Sequence, residues 1–146
     1  VAQDIWIQGV YYLTAITLNR KTKRFMKVSL TRASVAMGDD ADAPHHFEMM
    51  MGDDASLPSI IKAILGSRYL ASIAGGKATW TVISRIPVAV VAQQWAEPKM
   101  LTPVPTLSSL NFSDNVLSMH FDYRVQQDPD LVFDEFQRIH SGNPYR

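Results

Sequence analysis

Four residues able to do acid–base or metal chemistry fall in two short stretches. His46 and Glu48 lie in "HHFEMMM", and His120 and Asp122 lie in "VLSMHFDYRV". Imidazole and carboxylate together can bind a metal ion or move a proton near neutral pH. That work needs the groups on one surface. Both stretches read as strands, where residues i and i+2 share a face. His46 then stands beside Glu48, with His45 pointing the opposite way, and His120 stands beside Asp122. If the two strands are neighbours, the four groups meet on the open face of a sheet. The competing use of such residues is a solvated face with cross-strand ion pairs.

Acids gather around the first stretch. "MGDDADAP" (Met37–Pro44) and "MGDDASLP" (Met51–Pro58) repeat one pattern and flank the two histidines. Asp39, Asp40, Asp42, Asp53 and Asp54 are candidate ligands for a hard cation such as calcium or magnesium. Spacing works against a shared ion. An extended segment between the copies holds the acidic pairs roughly 20 Å apart at about 3.3 Å per residue. Neither copy has the alternating oxygen ligands of a calcium hand. Gly and Asp also punctuate strand ends, so two similar turns are the expectation, the second launching a helix.

Other chemistries lack their residues. With no cysteine there is no disulfide framework, thiolate zinc site, cysteine nucleophile or cysteine-held iron–sulfur cluster. No nucleophile elbow, phosphate-binding glycine loop or dinucleotide fingerprint occurs. "IAGGK" (Ile73–Lys77) lacks the phosphate-loop spacing and reads as the end of a helix. No cofactor is expected. Fourteen basic and fourteen acidic residues cancel, which argues against nucleic acid as partner despite the basic cluster "RKTKR" (Arg20–Arg24). No apolar run reaches membrane-span length, and no secretory leader is visible. A cytoplasmic location with no membrane partner is the expectation.

The elements that must position these residues follow from periodicity. With 146 residues and 47% hydrophobic content, one domain over 1–146 can bury a core without staples. "DIWIQGVYYLTAITLN" (Asp4–Asn19) and "FMKVSLTRASVAM" (Phe25–Met37) read as a hairpin around the basic tip. His45–Met51 is a third strand. Ile60, Ile61, Ile64 and Leu65 sit at helical spacing, with Ser56 as N-cap, Pro58 in the first turn and Gly66 able to split the element. Lys77–Ile86 and Pro87–Trp95 are strands. Ala96–Asn115 is a long proline-bearing loop with room for an edge strand. Val116–Val125 is the cleanest strand. Asp128 and Pro129 start a last helix, closed by Gly142.

The predicted fold is α+β. A single mainly antiparallel sheet of about five or six strands carries two helices, about 57–74 and 129–140, packed on one face. The function expected first is a small binding or interaction module of the inhibitor, immunity or adaptor type. Its partner would be a second copy or another protein, since near-zero net charge does little to oppose self-association. The alternative is a small-molecule-binding or enzymatic domain with a pocket between sheet and helices, using His46, Glu48, His120 and Asp122. Aromatic residues and seven methionines could line that concavity for a small apolar ligand.

Overall fold

Residues 24–40 and 43–142 are described by a computed structural model. The expected strand Asp4–Asn19, the basic tip up to Lys23, and Asp42 lie outside the described residues, as do the side chains of Met37 and Asp39. In chain order the elements are β1 (Phe25–Arg32), a single turn α1 (Met37–Asp40), β2 (His46–Gly52), α2 (Leu57–Gly66), β3 (Thr79–Ser84), β4 (Ile86–Ala92), β5 (Lys99–Met100), β6 (Phe112–Ser113), β7 (Val116–Tyr123) and α3 (Pro129–His140).

Among the described residues, seven strands form one mixed, mostly antiparallel sheet in the order β2-β1-β7-β3-β4-β5, with β6 also on β7. Among the described residues the single parallel pairing joins β1 to β7, with Thr31 opposite His120. β3 and β6 share one edge of β7. β3 runs beside His120–Tyr123, and β6 beside Val116–Leu117. The β6–β7 link is a two-residue turn whose Asp114 and Asn115 both take positive φ (52° and 62°). Aspartate and asparagine tolerate that conformation, which matches the twist of a hairpin.

Alternation on β1 and β7 builds the core. Met26, Val28, Leu30, Leu117, Met119 and Phe121 are buried on one face, where α2 brings Ile60, Ile61 and Ile64 down onto them. Each large side chain so buried stabilises the fold by about 2 kcal/mol. Ser56 caps α2 by accepting from the Ser59 amide at 3.3 Å, and Pro58 lies in its first turn. The helix stops at Gly66, well short of the expected residue 74. The Ser67 hydroxyl donates to the Ile64 carbonyl at 2.6 Å, and Arg68 turns left-handed with φ 58°. The later periodic residues, Tyr69 and Ile73, are buried without helix. Gln93 stands in for helical hydrogen bonds there, accepting from the amides of Ile73 (3.4 Å) and Ala78 (3.3 Å).

The last helix has the expected span, with Asp128 accepting from the Asp130 amide at 2.9 Å. Its side of the sheet differs from the expectation. Strand register puts Asp122, Thr81, Val90 and Lys99 on the face opposite Trp80 and Val91. Phe133 lies under the Lys99 ammonium (5.5 Å) and Phe136 under the Arg124 guanidinium (5.4 Å), so α3 packs on that second face. β4 is therefore covered on both sides, which is why "IPVAVVA" is apolar without alternation. The threonines of β3, Thr79 and Thr81, are buried for the same reason. α3 contacts β4, and its coverage does not reach β1 and β2 among the described residues.

Candidate functional site

Among the described residues, the half-sheet β2-β1-β7 thus has one face on the core and one face open. Register arranges the open face as a grid. His46, Thr31 and His120 form one row across the three strands. Glu48, Ser29 and Ser118 form the next, and Met50, Lys27 and Val116 the third. His46 and His120 do reach the same surface, as the alternation of their strands requires. β1 stands between them, which sets their backbones about 10 Å apart at two strand spacings.

Each candidate has its own partner. The His120 Nδ1 lies 2.8 Å from the Thr31 hydroxyl. The His46 Nε2 lies 3.5 Å from Glu48, whose other oxygen is 3.5 Å from Lys27. Asp122 turns to Arg124 at 3.8 Å, on the side approaching α3. The four residues share a face without forming one cluster. Among the described residues no three histidine or acidic side chains are grouped to hold a metal ion.

The acidic copies adopt different structures. The first is a helical turn at Met37–Asp40, and the second is the end of a strand. A Cβ on Gly52 would lie 2.8 Å from Asp54 Oδ1, whereas one on Gly38 would meet nothing within 4 Å. The atom met at Gly52 is the tip of the exposed Asp54 side chain, which can swing aside, so neither copy requires glycine for space. β2 separates the copies, as the spacing predicts. Asp53 and Asp54 are exposed. Asp40 has a structural partner in Arg32, at 2.6 Å, and a second in His45, at 2.9 Å. Burial pushes the Asp40 carboxyl up, but the hydrogen bonds and charges of Arg32 and His45 outweigh it and hold the group below the usual carboxylate value.

Arg32 is the residue that reading by motif misses. Its side chain is fully buried, and it donates to the carbonyls of Pro44 (2.9 Å), Ala43 (2.9 Å) and Ala33 (3.1 Å) besides pairing with Asp40. It clamps the segment leading into His46. Tyr69 closes the same corner, donating to the His45 carbonyl at 2.6 Å while its ring stacks on Phe47. Burial pushes its phenol up to about 12, against the pull of the Arg32 charge. The only advance sign of Arg32 was its place on the apolar side of the β1 alternation, in line with Met26, Val28 and Leu30.

At the inner end of the histidine row lies a pocket of about 260 Å³. Thr31, His46 and His120 line it with Ser29, Arg85 and Asn111. Arg85 is the one residue between β3 and β4 and takes a left-handed φ of 66°. Ser84 fixes the floor, donating to the Ser118 carbonyl (2.7 Å) and accepting from the Asn111 amide (3.1 Å) where β3 gives way to β6. The sequence suggests a strand break at Pro87, which would leave Arg85 inside a strand; the structure turns the chain two residues earlier and exposes Arg85. No family model matches this chain, and no curated protein or solved structure shows significant similarity to it.

Proposed function

We propose that this chain is a binding domain, and that it takes its ligand on the open face of β2-β1-β7, at the pocket beside Arg85. One observation carries the reading. Among the described residues, α2 covers one face of the sheet and α3 covers the other only over β4 and its neighbours, leaving a polar grid with a concave end. Small-ligand sites combine concavity with a few convergent polar groups, and His46, Thr31, His120 and Arg85 converge there from three strands and a turn.

Binding is favoured over catalysis by the partners of these groups. A hydroxyl next to an imidazole, as in Thr31 and His120, is the beginning of a nucleophile–base pair. It also needs a third group to orient the base, and the nearest carboxylate in sequence, Asp122, is turned to Arg124. The experiment is a fragment screen read by backbone amide shifts, using neutral, cationic and anionic fragments. Saturable shifts at Ser29, Thr31, Arg85 and His120 are expected. Shifts that concentrate along α3 instead would overturn the reading.

A further inference from the structure

We propose that the pocket beside Arg85 binds a small oxyanion, the carboxylate or phosphate group of a ligand. The inference rests on the binding reading above and adds the ligand's chemistry. Among the described residues no acidic side chain lines the pocket; its polar lining is one guanidinium, two imidazoles, hydroxyls and an amide, beside the apolar Ile83 and Met119. Such a set offers donors and positive charge with no carboxylate to repel an anion or attract a cation. Glu48, the carboxylate next to His46 on this face, faces Lys27 at 3.5 Å as well as His46, which offsets its charge.

Arg85 is the centre of the site. Arg32 in β1 and Arg124 just after β7 each have an aspartate within 4 Å. Arg85 has no ion pair among the described residues and is exposed. Its planar fork suits two oxygens of one carboxylate or phosphate. The Thr31 hydroxyl can donate to His120 Nδ1 at 2.8 Å; the His120 proton then sits on Nε2, where it serves as a donor. The pocket volume of about 260 Å³ is small for a drug-sized ligand and ample for an oxyanion with a short organic stem.

The test titrates the protein with inorganic phosphate, acetate and ethylammonium at matched ionic strength, against a chloride control, following amide shifts. Saturable shifts at Thr31, Arg85 and His120 with phosphate or acetate, and none with ethylammonium, are expected. The stronger of the two anions identifies the group. Arg85→Asn keeps the left-handed turn, because asparagine tolerates positive φ, and should weaken binding about tenfold or more. Arg85→Lys, which keeps the charge but loses the fork, should fall between. Anion shifts equal to those of chloride, or undiminished in a folded Arg85→Asn, would overturn the proposal. If neutral fragments collect at the pocket while both anions are silent, the oxyanion inference fails and the binding reading stands.

Discussion

Thr31 and His120, 89 residues apart in sequence, are joined by a 2.8 Å contact between hydroxyl and imidazole across the parallel β1–β7 pair. That pairing brings a histidine near the end of the chain to the same surface as His46. The bond lies at the protein surface, where a hydrogen bond contributes little net stability. Thr31→Val should therefore cost under about 1 kcal/mol in denaturant unfolding while reducing ligand shifts at His120. A large loss of stability would place the contact in the fold rather than the site.

Arg32 should behave in the opposite way. Replacing it with Met leaves the Ala43 and Pro44 carbonyls without their donor, and Asp40 without its cation. Removing one member of a buried polar network costs about 3 kcal/mol. Urea unfolding of Arg32→Met measures it. A change under about 0.5 kcal/mol, the usual scale of surface substitutions, would mean that the segment before β2 is held by something else.

Acid should reveal Asp40. Its folded carboxyl lies below the ordinary value, so its contribution is fully present above the unfolded value and is lost as pH falls through the folded one. The stability gap between the wild type and Asp40→Asn should shrink as pH drops below about 4. Parallel stability curves through that range would contradict the assignment.

Base should reveal Tyr69. Its phenol is raised from 10.0 to about 12, so the folded state favours the neutral form that donates to the His45 carbonyl. That stability is present below the unfolded value near 10 and is lost as pH rises from there through about 12. Tyr69→Phe should cost about 1 to 2 kcal/mol at neutral pH and flatten the alkaline decline. An unchanged decline would assign it to other groups.

Thr81 offers a test in the stabilising direction. It is fully buried under the α3 side of the sheet, and its hydroxyl has no hydrogen-bond partner among the described residues. An unpaired buried hydroxyl costs about 1 to 3 kcal/mol. Thr81→Val, of nearly the same shape, should raise the melting temperature. A lower one would show that the hydroxyl is satisfied, for instance by an internal water.

Local periodicity carried much of the fold. β1, β2 and β7 alternate, and both longer helices announce themselves with a capping residue followed by proline. The alternation also placed His46 and His120 on polar faces. What remained hidden depends on contacts remote in sequence. The end of α2 at Gly66 depends on Arg68 and on Gln93, a residue far along the chain. The position of α3 is written only in the unbroken apolar run of β4, which also reads as an ordinary buried strand. Asp122 looked like a companion of His120 because sequence spacing cannot show that Arg124 claims it. Arg85 was obscured because a one-residue turn leaves almost no signature beside the more conspicuous Pro87.

The most direct test of binding on the open face is an amide-shift titration of the wild type and Ser118→Trp, side by side, with fragments that shift the wild type. Ser118 lies between Ser29 and the pocket floor, and an indole there would fill the site without entering the core. The predicted result is saturable shifts at Thr31, Arg85 and His120 in the wild type and their loss in a folded Ser118→Trp. Shifts that persist unchanged in the blocked variant would contradict the assignment of this face as the binding surface.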